Sequence, residues 1–342
     1  MINILWNKFK VKKIFTIDSP GRLHLGFMEL NDASPRVFGS IGLAITNFKF
    51  KQTIQLNKDF DVICDDKSIK LRIEEIIKLF CKNYRIKKCR LIVSDFIPLH
   101  KGLGSGTQVS LCTGFLISSF NNLNLSIENI SKFLGRGQRS GVGVETFKSG
   151  GFIIDTGKQR SSISPPQKLI DIKWPKDWQI ILIISTSLSG LHGKQESSEF
   201  TKLKNISSKY AKENCFNLLM KIIPGLLEND FCIFANGIQK IQENMSKIFY
   251  GNKNNFSNQN ISKIFKFVRQ KKYVGFGQSS WGPTGFVFCE NRNKREEIFN
   301  MIENFIELKK IEGINLLKVR GRNFGNKLLK EHKWQKKTYY IW

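Results

Sequence analysis

Three glycine-rich segments carry the residue types that bind anions. The first is Pro98-Leu-His-Lys-Gly102-Leu-Gly104-Ser105-Gly106-Thr107-Gln108. Glycines let a backbone approach an anion closely, and a helix that starts in such a loop offers unpaired N–H groups and the positive end of its dipole. No Gly-Lys-Ser/Thr closes the run, so it is not a Walker loop. The second, Gly135-Arg136-Gly137-Gln138-Arg139-Ser140-Gly141-Val142-Gly143-Val144-Glu145, sets two arginines among glycines; the guanidinium fork matches a carboxylate or a phosphate. The third, Gly275-Phe-Gly277-Gln278-Ser279-Ser280-Trp281-Gly282-Pro-Thr-Gly285, joins an indole face to small hydroxyls.

The elements that must position these loops are legible. Strand patterns cover 15–18, 41–45, 53–56 and 91–94, and Ser19-Pro20-Gly21 reads as a turn. The first glycine loop follows strand 91–94 and opens a helix with Val109, Cys112, Leu116 and Phe120 on its apolar positions. Ile69, Ile73, Ile76, Ile77 and Phe80 repeat at helical spacing. Residues 159–175, with Pro165-Pro166 and several serines, read as an extended connector. Beyond it lie an apolar strand at 179–185, helices at 215–223, 231–245 and 298–308, a strand entering a loop at 273–277 and its return at 285–289. The Asn-rich stretch 252–260 reads as a loop.

The 342 residues allow about two domains. A hydrophobic share of 41% and a charged share of 24% are those of a globular chain. No apolar run has the length that a bilayer crossing needs, and residues 1–15 alternate lysine with apolar residues, unlike a secretory signal. Lys+Arg 55 against Asp+Glu 28 gives a net charge of +27. The lysines are scattered, which favours a solvated surface over a nucleic-acid-binding face. The 7 cysteines form no CxxC pair; most read as small core residues, in a reducing compartment, the cytoplasm.

Together the segments resemble the GHMP kinase superfamily. Pro98 to Gly106 resembles its phosphate loop, and Ser19-Pro-Gly-Arg22-Leu-His24-Leu-Gly-Phe27 its first motif. Within the superfamily the chain is similar to the β-ribofuranosylaminobenzene 5′-phosphate synthases, on Gly135 to Gly143, Gly150-Gly-Phe-Ile-Ile-Asp155, Gly190-Leu-His192-Gly193, Leu219-Met-Lys-Ile-Ile-Pro224, Gly277-Gln-Ser-Ser-Trp-Gly-Pro283 and Gly321-Arg-Asn-Phe-Gly325. The resemblance implies an α+β, two-domain GHMP-kinase-like fold: a ribosomal-protein-S5-domain-2-like N-terminal domain over 1–165, and a ferredoxin-like sheet with helices over 166–342. It also implies a homodimer.

Kinases of the superfamily usually carry Ser-Gly-Val/Ile-Asp, where the carboxylate serves the acceptor hydroxyl. Here the run is Ser140-Gly-Val-Gly143, and Glu145 replaces that carboxylate only if the register shifts. The synthase reaction implied by the resemblance needs no such base. Phosphoribosyl pyrophosphate and a 4-substituted benzoate, 4-aminobenzoate or 4-hydroxybenzoate, give a C-riboside 5′-phosphate, pyrophosphate and carbon dioxide, for a pterin cofactor of the methanopterin type. The demands are alignment and stabilisation of the leaving diphosphate, and Mg²⁺ suits such a leaving group.

On this reading Gly102, Gly104, Ser105, Gly106 and Thr107 form the pyrophosphate cradle, with Arg22 beside it. Arg136 and Arg139 take the 5′-phosphate or the carboxylate, and Ser140 joins them as a catalytic candidate. His24 reaches the same anions; a structural hydrogen bond is the alternative for His24 and for His192. Trp281 stacks on the arene, and Gln278, Ser279 and Ser280 orient ribose hydroxyls. Glu145 and Asp155 are the nearest carboxylates for Mg²⁺, with turn capping the alternative for Asp155. An ATP-dependent small-molecule kinase is the competing enzyme, and a nucleic-acid-binding protein the competing class.

Overall fold

The computed structural model describes residues 10–31, 33–187, 190, 198–200, 203, 206–251, 258–280 and 282–335. Two long strands, β1 (Lys10–Glu29) and β2 (Arg36–Leu56), pair antiparallel and form the spine of the first sheet. β3 (Asp61–Ile63) runs parallel to β4 (Cys89–Asp95), which joins the second half of β2. β5 (Phe152–Asp155) and β6 (Lys158–Gln159) join its first half, and β7 (Lys168–Ile172) extends the sheet from β5. A second, antiparallel sheet holds β8 (Gln179–Ser185), β9 (Phe276–Gln278), β10 (Thr284–Cys289) and β11 (Ile314–Arg320), in the order β11-β8-β10-β9. β8 is buried along its whole length because it has a neighbour on each side and both of its faces are covered. The chain then returns: β12 (Lys327–Gln335) pairs with β1 in the first sheet.

Helices cover these sheets. α1 (Lys67–Asn83) is capped by Asp66, which accepts the Ile69 N–H at 2.9 Å, and buries the five apolar residues read from the sequence. α2 (Ser105–Asn121) runs through the core. α3 (Ile127–Phe133) and α4 (Val142–Lys148) follow. α5 (Ser208–Asn217) continues through a π-helical turn (Leu218–Ile222) into α6 (Ile223–Glu228). α7 (Phe231–Tyr250) packs on both sheets' site-forming strands. α8 (Gln259–Gln270) and α9 (Arg292–Leu308) lie on the second sheet. None of the described helices is long and apolar enough to cross a membrane.

Several expectations need correction. Ser19-Pro20-Gly21 is not a turn: it lies within β1, where the pairing shifts register between Pro20 and Gly21, and a bulge lets the strand continue through the proline. The 159–175 connector contains β7 and ends at buried Trp174, whose Nε1–H donates to the Trp178 carbonyl at 3.1 Å. Sheet membership does not divide at residue 165, since β7 and β12 both pair in the first sheet. Cys89, Cys112 and Cys289 are core residues as read, whereas Cys81, Cys215 and Cys232 are exposed. Residues 252–257 of the Asn-rich stretch lie outside the described residues; Asn258 caps α8, accepting the Asn260 and Ile261 N–H groups at 2.7 and 3.1 Å.

Candidate active site

The site forms where β1 bulges twice. Arg22 and His24 fall between the shifts at Pro20/Gly21 and His24/Gly26, on one face of the strand, with buried Leu23 on the other. Arg22 then reaches over the glycine loop. Its backbone N–H donates to the Leu103 carbonyl at 3.0 Å and its Nη1 to the Gly102 carbonyl at 2.7 Å. Gly102 and Gly104 hold φ of +77° and +83°, and a Cβ on Gly104 would stand 3.0 Å from Arg22 Cγ. The loop therefore needs glycine there both for its backbone and to let the arginine pass. Gly104 caps α2 without a side chain, which leaves the first-turn amides at Ser105 and Gly106 as anion donors.

Arg136 lies over this helix start. Its Nη1 is the one atom that a Cβ on Gly106 would meet, at 3.7 Å, and its Nε donates to Ser110 Oγ at 3.0 Å. Burial, with Arg72 nearby, pulls its pKa down to about 10, so it remains a cation at neutral pH. Arg139 holds its guanidinium 4.6 Å over the Phe200 ring. Arg22, Arg136 and Arg139 line one cleft of about 250 Å³ together with His24, Thr107, Ser140, Gln278 and Ser280. Its described lining includes no Asp or Glu.

Other candidates have structural work. Ser279 is fully buried; its hydroxyl donates to the Gly102 carbonyl at 2.7 Å and accepts the His24 N–H at 3.0 Å. It therefore latches the third glycine segment onto the first instead of facing ribose. Ser280 does line the cleft, at φ +54°, and its N–H donates to the His24 carbonyl at 3.1 Å. Gln278 Nε2 donates to Tyr250 Oη at 3.1 Å and to the Ser280 carbonyl at 3.0 Å. Trp281 and His192 lie outside the described residues.

His24 lines the cleft as a neutral imidazole. Burial first, then Arg22 and Arg139, push its pKa down to about 3, so the imidazole is neutral. Its Nε2 is buried without a hydrogen-bond partner, and its ring packs 4.5 Å from that of Phe27.

Neither of the two candidate metal carboxylates lines the cleft, although Glu145 Oε2 is buried with no hydrogen-bond partner among the described residues. Asp155 Oδ1 accepts the Ser40 and Gly157 N–H groups at 3.1 and 2.9 Å. Its Oδ2 accepts the Gly141 N–H at 2.9 Å and the Ser40 hydroxyl. Ser40 Oγ in turn lies 2.6 Å from Ser140 Oγ. Asp155 thus fixes the arginine-bearing segment to β2, with no oxygen turned to the cleft. Glu145 is buried in α4 and accepts Lys148 Nζ at 3.1 Å; it does not line the cleft. No cluster of three or more metal-ligating side chains occurs among the described residues.

The sequence reading missed the opposite wall. Phe27, Met245, Phe249 and Tyr250, with Phe200, complete the lining. α7 supplies most of it and can approach because Gly26 and Gly277 lack side chains: a Cβ there would stand 2.7 Å from Ile241 Cγ2 and 2.1 Å from Gln242 Oε1. The signal available was the pair of glycines beside an apolar helix.

Comparison with known proteins agrees with this architecture. Residues 72–152 match the GHMP kinases N terminal domain. The chain is 31% identical over 312 residues to the β-ribofuranosylphenol 5′-phosphate synthase of Methanocaldococcus jannaschii, covering 83% of this chain and 93% of that protein. It is 28% identical over 295 residues to the enzyme of the same name from Methanothermobacter thermautotrophicus, covering 81% and 89%. Among solved structures it is similar to a homoserine kinase from Cytophaga hutchinsonii (TM-score 0.64, 15% identity, 96% of this chain and 100% of that one). It is also similar to a mevalonate diphosphate decarboxylase from Staphylococcus aureus (TM-score 0.63, 12% identity, 93% and 98%). These structures establish the GHMP kinase fold.

Proposed function

The chain belongs to the β-ribofuranosylphenol 5′-phosphate synthase family, and we propose that it joins phosphoribosyl pyrophosphate to 4-hydroxybenzoate. The relatives' name specifies a phenol as the ribosylated product, which supports the hydroxy acid over 4-aminobenzoate. The product is a precursor for a pterin cofactor of the methanopterin type. The observation that carries the reading is a cleft with three arginines and a glycine-rich helix start and no carboxylate in its described lining.

The chemistry is the one the family implies, and the lining suits it. The C1–O bond to the diphosphate breaks with its electron pair going to oxygen, and the sugar passes through an oxocarbenium-like state. The ring carbon that bears the carboxylate attacks C1. Loss of carbon dioxide returns an electron pair to the ring and restores aromaticity, so no proton is removed from the nucleophile. The α2 amides with Arg22 and Arg136 stabilise the diphosphate, whose negative charge grows as it departs. Mg²⁺ would supply charge neutralisation to the departing diphosphate; neither Asp155 nor Glu145 faces the cleft.

Kinases of the superfamily usually carry a carboxylate at this position, where Gly143 packs on Thr107. Pyrophosphate release tests the choice: it should require phosphoribosyl pyrophosphate and 4-hydroxybenzoate together, and ATP should not replace the donor. ATP turnover with a small alcohol, and none with phosphoribosyl pyrophosphate, would reverse the assignment.

A further inference from the structure

A second cavity, of about 660 Å³, adjoins the cleft and shares Gln138, Arg139 and Phe200 with it. Leu30, Val37, Phe38 and Ile163 give it apolar walls, and Lys158 and Arg160 add positive charge. Its described lining also lacks Asp and Glu. The Lys158 ammonium donates to the Ser162 carbonyl at 2.7 Å and Arg160 to the Asn31 carbonyl at 3.1 Å, so both cations are held in place by neutral groups. The chemistry of the cavity is therefore apolar and cationic together, which suits an aromatic anion.

Phe38 is the unusual residue of this wall. It holds φ of +73°, a conformation costly for a bulky side chain, immediately before Gly39 at +62°. The kink brings its ring edge-on to Phe200, with centroids 6.4 Å apart, and beside Phe27 at 5.8 Å. Phe200 also carries Arg139 over its ring. Backbone strain here places an aromatic ring in the second cavity, against the Phe200 that both cavities share.

We propose that the second cavity is the acceptor subsite, holding an aromatic carboxylic acid with its ring beside Phe38 and its carboxylate turned inward to Arg139. This rests on the synthase reading. The nucleophilic ring carbon is the one bearing the carboxylate, so that end must face the sugar and the para substituent must point away. Arg139 stands at the shared boundary, where it can meet the inward end.

Two variants test this. Phe38→Gly removes the ring and accepts the positive φ; it should raise the KM for 4-hydroxybenzoate about tenfold. The affinity for phosphoribosyl pyrophosphate, read by calorimetry, should stay within about twofold. Ile163→Glu, at a rim position 70% exposed, should also raise the KM for the acid, while Ile163→Lys should not. An unchanged KM in Phe38→Gly overturns the subsite. If that variant fails to fold, an unchanged KM in Ile163→Glu overturns it instead. Wild-type protein that releases no pyrophosphate from the two substrates refutes the synthase reading itself, which separates the two failures.

Discussion

Gly143 faces Thr107 so closely that a Cβ on the glycine would stand 3.2 Å from Thr107 Cγ2. The Gly143 carbonyl also accepts Gln108 Nε2 at 2.9 Å, which ties α4 to α2 beside the phosphate loop. Both residues line the cleft. The position at which kinases of this fold keep a carboxylate is thus filled by close packing, and the local charge is left to arginine.

Gly143→Asp should therefore impair the synthase without creating a kinase. A carboxylate beside the diphosphate cradle should weaken phosphoribosyl pyrophosphate binding about tenfold, or roughly 1.4 kcal/mol. Calorimetry reads the affinity, and an ADP-release assay reads any gained kinase activity. Undiminished binding would place the diphosphate elsewhere.

Arg139→Ala should cut turnover at least about tenfold with little change in melting temperature, because its side chain lies at the cleft boundary. Steady-state rates and a thermal melt check this together. Full turnover in a folded variant would remove Arg139 from the site.

His24 should make the protein acid-sensitive. Its pKa is lowered to about 3 in the fold, against 6.5 for a free histidine, so the unfolded chain binds the extra proton first. Stability should be intact above pH 6.5 and fall as the pH drops towards 3. The loss between pH 7 and 5.5 should be roughly 1 kcal/mol. Denaturant titrations of wild type and His24→Asn measure it; the same acid slope in both would assign the effect to other groups.

Asp155→Asn should lower stability by roughly 2–4 kcal/mol, since it disturbs four hydrogen bonds to a buried carboxylate. Burial holds the Asp155 carboxyl above its usual range. The Mg²⁺ dependence of turnover should match that of wild type. A variant that needs far more Mg²⁺ would make Asp155 a ligand after all.

The glycine and arginine half of the cleft was legible because its geometry lies in the backbone. Glycines at Gly102 and Gly104 announce positive φ, and arginines among glycines announce a cation with room for a ligand. Parts of β1, β2 and β4, and the whole apolar face of α1, were legible from local pattern. Pairing hid the rest. Pro20 looked like a turn because a bulge between distant strands is not visible in a local window. Ser279 looked like a ligand because its partners, Gly102 and His24, lie 177 and 255 residues away. The aromatic wall was silent because Phe200 and Phe249 resemble any core residue until α7 closes on Gly26.

The central claim is that C1 of the sugar ends bonded to a ring carbon as diphosphate leaves. Product made from phosphoribosyl pyrophosphate labelled with ¹³C at C1, examined by carbon NMR, tests it directly. The expected product shows a C1 signal at a carbon-bonded shift that correlates with aromatic protons, with one carbon dioxide released per pyrophosphate. A C1 signal still bonded to oxygen, or carbon dioxide retained on the ring, would contradict it.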